Sequence, residues 1–296
     1  MPGASVLVAV CTYQRPQQLE DLLDSLAPAI AGHDARVLVV DNDSKPSAED
    51  LVAAHGIGAE YLHEPVAGIA QARNAAMGRM NEAEFIAFLD DDETVDPDWL
   101  ARLMDALQTY GTDVVTGPVV SLFPSGAPAW IVDGGFIQRT RMASGTRVEL
   151  AATNNVLMRV ATLNRIGVTS FDTEFSRSGG SDSEFFWRLR RKGGTIAWVD
   201  DAVVSEEVPL ERLTFRWVFK RGVRGGNVFG RLLRREHGRI YVFLHGSALA
   251  TFGALRVAAA LVTGKGRRSK DFGWLTHGLG VAQAALGSVV YEYDRG

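Results

Sequence analysis

Apolar residues fall in short runs separated by polar turns along the first 120 residues. Residues 5–10 form a Val-rich run that stops at Cys11-Thr12-Tyr13, which predicts a buried strand. From Pro16 the period changes. Leu19, Leu22, Leu23 and Leu26 recur at helical spacing, and Pro suits a helix start. Residues 36–40 read as a second buried strand ending in Asp41-Asn42-Asp43-Ser44, and 59–63 as a short third one. A helix is predicted over 69–80 after Gly68, then an apolar strand over 85–89 ending in Asp90-Asp91-Asp92-Glu93. A helix from Pro97 to about residue 108 and a strand over 113–120 complete this half.

Strand alternating with helix predicts an α/β fold, a mostly parallel sheet flanked by helices on both faces. Ligands of such sheets bind beyond the carboxyl ends of the strands. The polar clusters at 12–15, 41–44 and 90–93 fall at those ends and should lie side by side along one edge. The second half is less regular. Residues 121–150 are rich in Gly and Pro and read as loop and hairpin, 154–159 as a strand, 182–192 as a helix and 195–199 as a strand. Two uncharged stretches follow, 241–255 and 272–291, and neither is apolar enough to be a clear membrane span.

Composition adds little until it is divided. The chain of 296 residues is 46% hydrophobic and 22% charged, which excludes disorder as its main state. A single cysteine, Cys11, excludes an internal disulfide and suggests a reducing compartment; the thiol is expected to be packed in the core. No basic region precedes the first apolar run, so a secretory leader is not expected. The formal charge of -4 conceals an asymmetry: residues 212–270 hold 14 Lys and Arg against one acid, Glu236. That stretch carries +13 and the remainder -17. No nucleic-acid reader motif accompanies it, so a nucleic-acid partner is not expected.

The polar clusters carry the candidate chemistry. Three adjacent acids at a strand end repel one another, and a hard divalent cation, Mg²⁺ or Mn²⁺, would relieve the repulsion; the alternative is a solvated acidic turn before the helix at Pro97. Asp41 at the second strand end suits a ribose or base, or else closes an ordinary turn. Arg73, in Gly68-Ile69-Ala70-Gln71-Ala72-Arg73-Asn74, could hold a base or phosphate, or be a plain surface arginine. In Gly179-Gly180-Ser181-Asp182-Ser183-Glu184, Ser181 or Asp182 could cap a helix with Glu184 completing the cap, or a carboxylate could act as general base. No Gly-rich dinucleotide fingerprint or P-loop occurs, and the six histidines show no metal spacing.

Taken in order, Cys11-Thr12-Tyr13-Gln14-Arg15-Pro16, Val39-Val40-Asp41-Asn42-Asp43-Ser44, Gly68…Arg73-Asn74, Phe88-Leu89-Asp90-Asp91-Asp92 and Gly180-Ser181-Asp182…Arg188-Leu189 resemble family 2 glycosyltransferases. The resemblance covers about residues 4–210 and implies a GT-A fold that transfers a sugar from a nucleotide donor with inversion. It implies a nucleotide pocket from Thr12, Tyr13, Arg15, Asp41, Arg73, Asp90 and Asp91, a metal ligand in Asp92 and a catalytic base in Asp182. The sequence departs from the family in having Ser181-Asp182 where many relatives have Glu-Asp, and Glu206 where many have His. Leu213-Thr214-Phe215-Arg216-Trp217 departs from the Q-x-x-R-W of processive synthases. The chain looks more like succinoglycan-type exopolysaccharide glucosyltransferases.

The expected organisation is a catalytic domain over 1–210 and a basic, helical region over 211–296. Glu206, Arg221 and Arg224 are candidate contacts to a diphosphate or acceptor on loops expected over 205–230, where Arg221-Gly222-Val223-Arg224-Gly225-Gly226 could order over the donor or face an acceptor diphosphate. Basic residues flanking the apolar stretch at 241–264 suit an anionic membrane surface, hence a cytoplasmic enzyme peripheral to the inner face of the membrane; the alternative is a pair of soluble helices packed on the body or mediating oligomerisation. The expected partners are a UDP-sugar donor and a saccharide or lipid-linked acceptor. A non-catalytic nucleotide-sugar or lipid binder of the same fold is the rival, with a sugar-nucleotide pyrophosphorylase behind it.

Overall fold

The computed structural model describes residues 5–138, 140–176, 178–263 and 268–290. In chain order the elements are β1 (Val6–Thr12), α1 (Pro16–Ile30), β2 (Ala35–Asp41), α2 (Glu49–Ala54), β3 (Glu60–His63), α3 (Ile69–Met77), β4 (Phe85–Asp90) and β5 (Glu93–Val95). Then come α4 (Trp99–Thr109), β6 (Val114–Thr116), β7 (Val119–Leu122), α5 (Ala129–Val132), β8 (Val156–Arg159), α6 (Val160–Ile166), α7 (Ser181–Arg191), β9 (Ile196–Trp198) and β10 (Val204–Glu207). Three helices close the chain, α8 (Phe215–Leu233), α9 (Arg239–Thr263) and α10 (Arg268–Ala285).

The chain divides into two compact units. The first is Met1–Leu122, Arg139–Ser176 and Ser181–Glu207; the second is Phe123–Gln138, Arg177–Gly180 and Val208–Gly296. The second unit thus also takes in two segments from the middle of the chain.

The first unit is built on a seven-stranded sheet in the order β3-β2-β1-β4-β8-β6-β9. Strands β3, β2, β1 and β4 are parallel, β8 runs antiparallel to both its neighbours, and β6 pairs parallel with β9. The pleat sorts β1 between two cores. Val6, Val8 and Val10 pack with Leu19, Leu22, Leu23 and Leu26 of α1 on one face. Leu7 and Ala9 pack with Ala70, Ala72 and Ala76 of α3 and with Phe185, Phe186 and Leu189 of α7 on the other. The sheet is therefore flanked by helices on both faces and mostly parallel, as expected.

Three expectations change. The single strand over 113–120 is two, because Gly117 and Pro118 bend the chain from the large sheet into a second, three-stranded sheet, β5-β10-β7. A Cβ at Gly117 would stand 2.3 Å from the Ala202 carbonyl oxygen, so only glycine allows the bend there. Asn155 fastens this corner: its Nδ2 donates to the carbonyls of Pro118 and Ala202, and its Oδ1 accepts from Trp99. Between 121 and 150 there is the end of β7 and the short helix α5, and no hairpin among the described residues. The Gly-rich run 221–226 is not a loop but the middle of α8.

In the second unit α10 packs against both α8 and α9 through glycines. A Cβ on Gly226 would lie 2.0 Å from the His277 carbonyl oxygen, and one on Gly280 2.0 Å from that of Val223. Helix backbones reach such separations only where side chains are absent. Arg256, which interrupts the apolar run, is exposed and donates to the buried Asp271 of α10 at 2.6 Å, so its charge is paired.

Candidate active site

The site grows from the carboxyl ends of β1 and β4, which are adjacent in register up to Cys11 and Asp90. Thr12 is buried, and its hydroxyl donates to Asp91 Oδ2 at 2.9 Å. The backbone N–H of Tyr13 donates to the same oxygen at 3.4 Å. Gln14 takes a positive φ of 53°, uncommon outside glycine, and its amide donates to Asp43 at 2.9 Å. The turn after β1 is thereby tied to the turn after β2. Arg15 places one nitrogen, Nη1, 2.9 Å from both Asp91 Oδ1 and Asp92 Oδ2.

The middle acid faces inward. Burial pushes the Asp91 carboxyl above its ordinary value, against the pull of the Arg15 guanidinium, with Asp92 adding to the rise. Asp90 faces Arg73, whose Nη2 stands 3.6 Å from Asp90 Oδ1. Arg73 is buried on α3, and its Nη1 donates to Ser181 Oγ at 2.9 Å. One guanidinium thus spans from the acidic turn to the first residue of α7.

Asp182 follows in the first turn of α7, half-buried, its Oδ1 accepting the Ser183 N–H at 2.7 Å. A carboxylate suits the positive end of a helix. The expected cap is partitioned differently: Ser181 serves Arg73, and the fully buried Glu184 binds Arg188 at 2.8 and 2.9 Å. The first unit therefore gathers Thr12, Tyr13, Arg15, Arg73, Asp90, Asp91, Asp92 and Asp182 at one end of its sheet.

Asp41 is placed otherwise than expected. Its carboxylate is fully buried and turned onto its own loop. It accepts from the N–H groups of Asp43, Ser47 and Ala48, the Ser47 hydroxyl and the Tyr61 hydroxyl. Burial pushes this carboxyl up, but those donors outweigh it and hold it below its ordinary value. Asp41 shapes the turn instead of presenting oxygens to a ribose or base. Its neighbour Asn42 does similar work, donating to the carbonyls of Glu64 and Val66 and accepting from Gly68.

Glu206 lies on β10 of the first unit, buried and directly opposite Glu93 of β5. Arg221 and Arg224 belong to the second unit, within α8, where the Arg221 guanidinium sits 5.0 Å from the Trp217 ring centre. Sequence reading missed Glu93 and Ser181 as site residues. The signal for Glu93 was that β5 begins at the fourth acid, so its side chain belongs to a strand and not to the turn. Cys11 is partly buried and packs against the core beneath α3, and its surroundings push the thiol up to about 12.

A metal fits this donor set in one way. Among the described residues no three His, Cys, Asp or Glu converge on a common ion position. Mg²⁺ and Mn²⁺ sites that use one or two carboxylates and complete the shell with substrate phosphates and water need no such cluster. Asp90 and Asp92 would supply two such carboxylates, each facing an arginine here, Arg73 and Arg15 respectively.

Comparison with known proteins bears on the family and the fold. A family model, Glycosyl transferase family 2, matches residues 7–166. Succinoglycan biosynthesis protein ExoM of Rhizobium meliloti (strain 1021) is 36% identical over 274 residues, which cover 90% of this chain and 87% of that protein. The pre-mycofactocin glycosyltransferase of Mycobacterium tuberculosis (strain CDC 1551 / Oshkosh) is 26% identical over 243 residues, 78% of this chain and 49% of that one. Among solved structures, S. aureus TarS 1-349 in complex with UDP aligns with a TM-score of 0.56 over 96% of this chain and 92% of that chain. At 16% identity this last likeness is one of fold. With more than half of its length matched by the family model and a relative of this identity along nearly all of it, the chain belongs to glycosyl transferase family 2.

Proposed function

We propose that this glycosyltransferase moves a sugar, with inversion, from a UDP-sugar to a hydroxyl of a saccharide or lipid-linked saccharide acceptor in cell-surface polysaccharide synthesis. The 36% identical relative is a succinoglycan biosynthesis protein, and the solved neighbour binds UDP, which supports both halves of the reading. The observation that carries it is the span of Arg73 between Asp90 and Ser181, which puts an acidic turn and a helix-start carboxylate in one site.

Asp182 takes the proton from the acceptor hydroxyl as its oxygen attacks the anomeric carbon. General base catalysis of this kind is worth about 10²–10⁴-fold. Asp92, with Asp90, would hold Mg²⁺ or Mn²⁺, which supplies Lewis-acid stabilisation of the leaving diphosphate when bound. Arg15 and Arg73 already lie against these acids and supply positive charge at the same place. Thr12 and Tyr13 fix the turn that borders the nucleotide. Glu206 of the first unit is a proposed diphosphate or acceptor contact; Arg221 and Arg224 of the second unit are each proposed separately as such. In this reading the enzyme works on the cytoplasmic face of the membrane, held by its basic helices.

The test is Asp182→Asn, assayed with UDP-sugars and membrane extract as acceptor source. Transfer should fall by at least about 10²-fold while calorimetric UDP binding with Mn²⁺ stays within a few-fold of native. Near-native turnover in the variant would refute the base assignment. Donor binding by the native protein with neither transfer nor donor hydrolysis would favour a non-catalytic binder.

A further inference from the structure

The acidic turn is held from below by a residue that the reaction does not itself require. Glu93 is 1% exposed, and its Oε2 accepts the backbone N–H of Asp90 at 2.8 Å. Its other oxygen, Oε1, is buried and has no hydrogen-bond partner among the described residues. The three-stranded sheet explains how it comes to be there. Val95, Val204 and Val119 lie in one row across β5, β10 and β7 and pack into the core. Two residues along each strand the same face carries Glu93, Glu206 and Ser121, all buried. The pleat therefore gives Glu93 a position that a valine or leucine would fill with full burial and no lost hydration.

A buried carboxyl with one oxygen unmatched is costly to the fold, and such exceptions gather at functional sites. What Glu93 provides is one bond, to the residue that opens the acidic turn. That bond closes the Asp90–Glu93 turn upon itself at the point where β4 ends and β5 begins. We propose that Glu93 is a positioning residue for donor binding: through the Asp90 N–H it fixes the backbone from which Asp90 and Asp92 present their carboxylates. The proposal rests on the reading of that turn as the metal–diphosphate site.

Two near-isosteric variants separate this role from simple core filling. Glu93→Gln keeps an oxygen to accept from Asp90; Glu93→Leu keeps the volume and loses the acceptor. Partners that orient a ligating group are typically worth about 10–100-fold in affinity or activity. Calorimetric titration with UDP and Mn²⁺ should show Glu93→Leu weakened by about that factor, and Glu93→Gln within about 3-fold of native. Donor KM should rise in Glu93→Leu more than kcat falls, with no loss of thermal midpoint. Without any ligand, amide exchange at Asp90 should quicken by about 10-fold or more in Glu93→Leu and stay native-like in Glu93→Gln.

Native-like UDP binding and Asp90 protection in Glu93→Leu would overturn the proposal. So would equal losses in the two variants, which would make the charge and not the acceptor matter; a Glu93→Gln loss above 10-fold overturns it even if Glu93→Leu fails to fold. If the native protein binds no UDP with Mn²⁺ while Asp90 exchange follows the expected order, the donor-site reading fails and the turn-fixing role of Glu93 survives as a purely structural one.

Discussion

Asp41 shows how a residue can be correctly located and wrongly oriented. The sequence puts an acid at the end of β2 beside the other strand ends, and it is there. Its orientation is set by partners the local pattern does not reveal: two N–H groups just before α2 and a tyrosine on β3. Because its folded pKa is depressed, Asp41 adds stability above the ordinary carboxylate value, and that increment is lost as pH falls through the folded value. Asp41→Asn should lower the unfolding free energy at neutral pH by about 1.5–3 kcal/mol, the worth of a hydrogen bond to a charged group. It should also flatten the fall in stability below about pH 4. Urea denaturation across that range measures both, and a variant with the native acid slope would remove Asp41 as its source. Arg73 was the opposite case, with base or phosphate left open against a surface role. Burial together with Asp90 and Ser181 removes the surface role, because no surface arginine would be desolvated between two such partners; the contact to base or phosphate belongs to the proposed function.

The elements whose period is strong were legible: β1, β2, β4, α1, α4 and α7 stand within about two residues of where the apolar pattern puts them. The pattern cannot show direction or partner. Nothing in 154–159 says that β8 runs antiparallel, and nothing apolar marks the break at Gly117 that sends β7 to another sheet. The glycines of α8 were misread because three of them within five residues resemble a loop; the four-residue spacing of Gly222, Gly226 and Gly230 was the signal for a contact face. Gly280→Ala tests that face. The added carbon cannot fit against Val223, so the cost should be about 1–3 kcal/mol, as for overpacked cores. Gly273→Ala on the same helix meets nothing within 4 Å and should be neutral or stabilising by up to about 1 kcal/mol. Thermal melts of the full-length variants that failed to separate the two would sink the packing account.

At the scale of the whole molecule, the division of charge acquires physical carriers. The basic stretch comprises α8, α9 and the start of α10, and α9 is long and apolar enough to cross a membrane, with 17% of its apolar window buried. Its uncovered positions include Ile240, Leu244, Leu255, Leu261 and Val262. Arg256, which interrupts the apolar run, is paired with Asp271. Flotation with phosphatidylglycerol vesicles should carry the protein at low salt, since each basic residue near an anionic surface contributes about 1 kcal/mol. Phosphatidylcholine vesicles should carry less. No flotation on anionic vesicles would leave oligomerisation as the use of this face.

The antiparallel strand β8 has a consequence in time. It lies between β4 and β6, yet it is made of residues 156–159, after both. As the chain leaves the ribosome, β4 therefore presents a bare edge and β6 has nothing to join until more than half the protein has been synthesised. Arg73, likewise, waits 108 residues for Ser181. The nascent chain passes through a stage with an open sheet and no Arg73–Ser181 bond, the stage at which strand edges are most exposed to wrong partners.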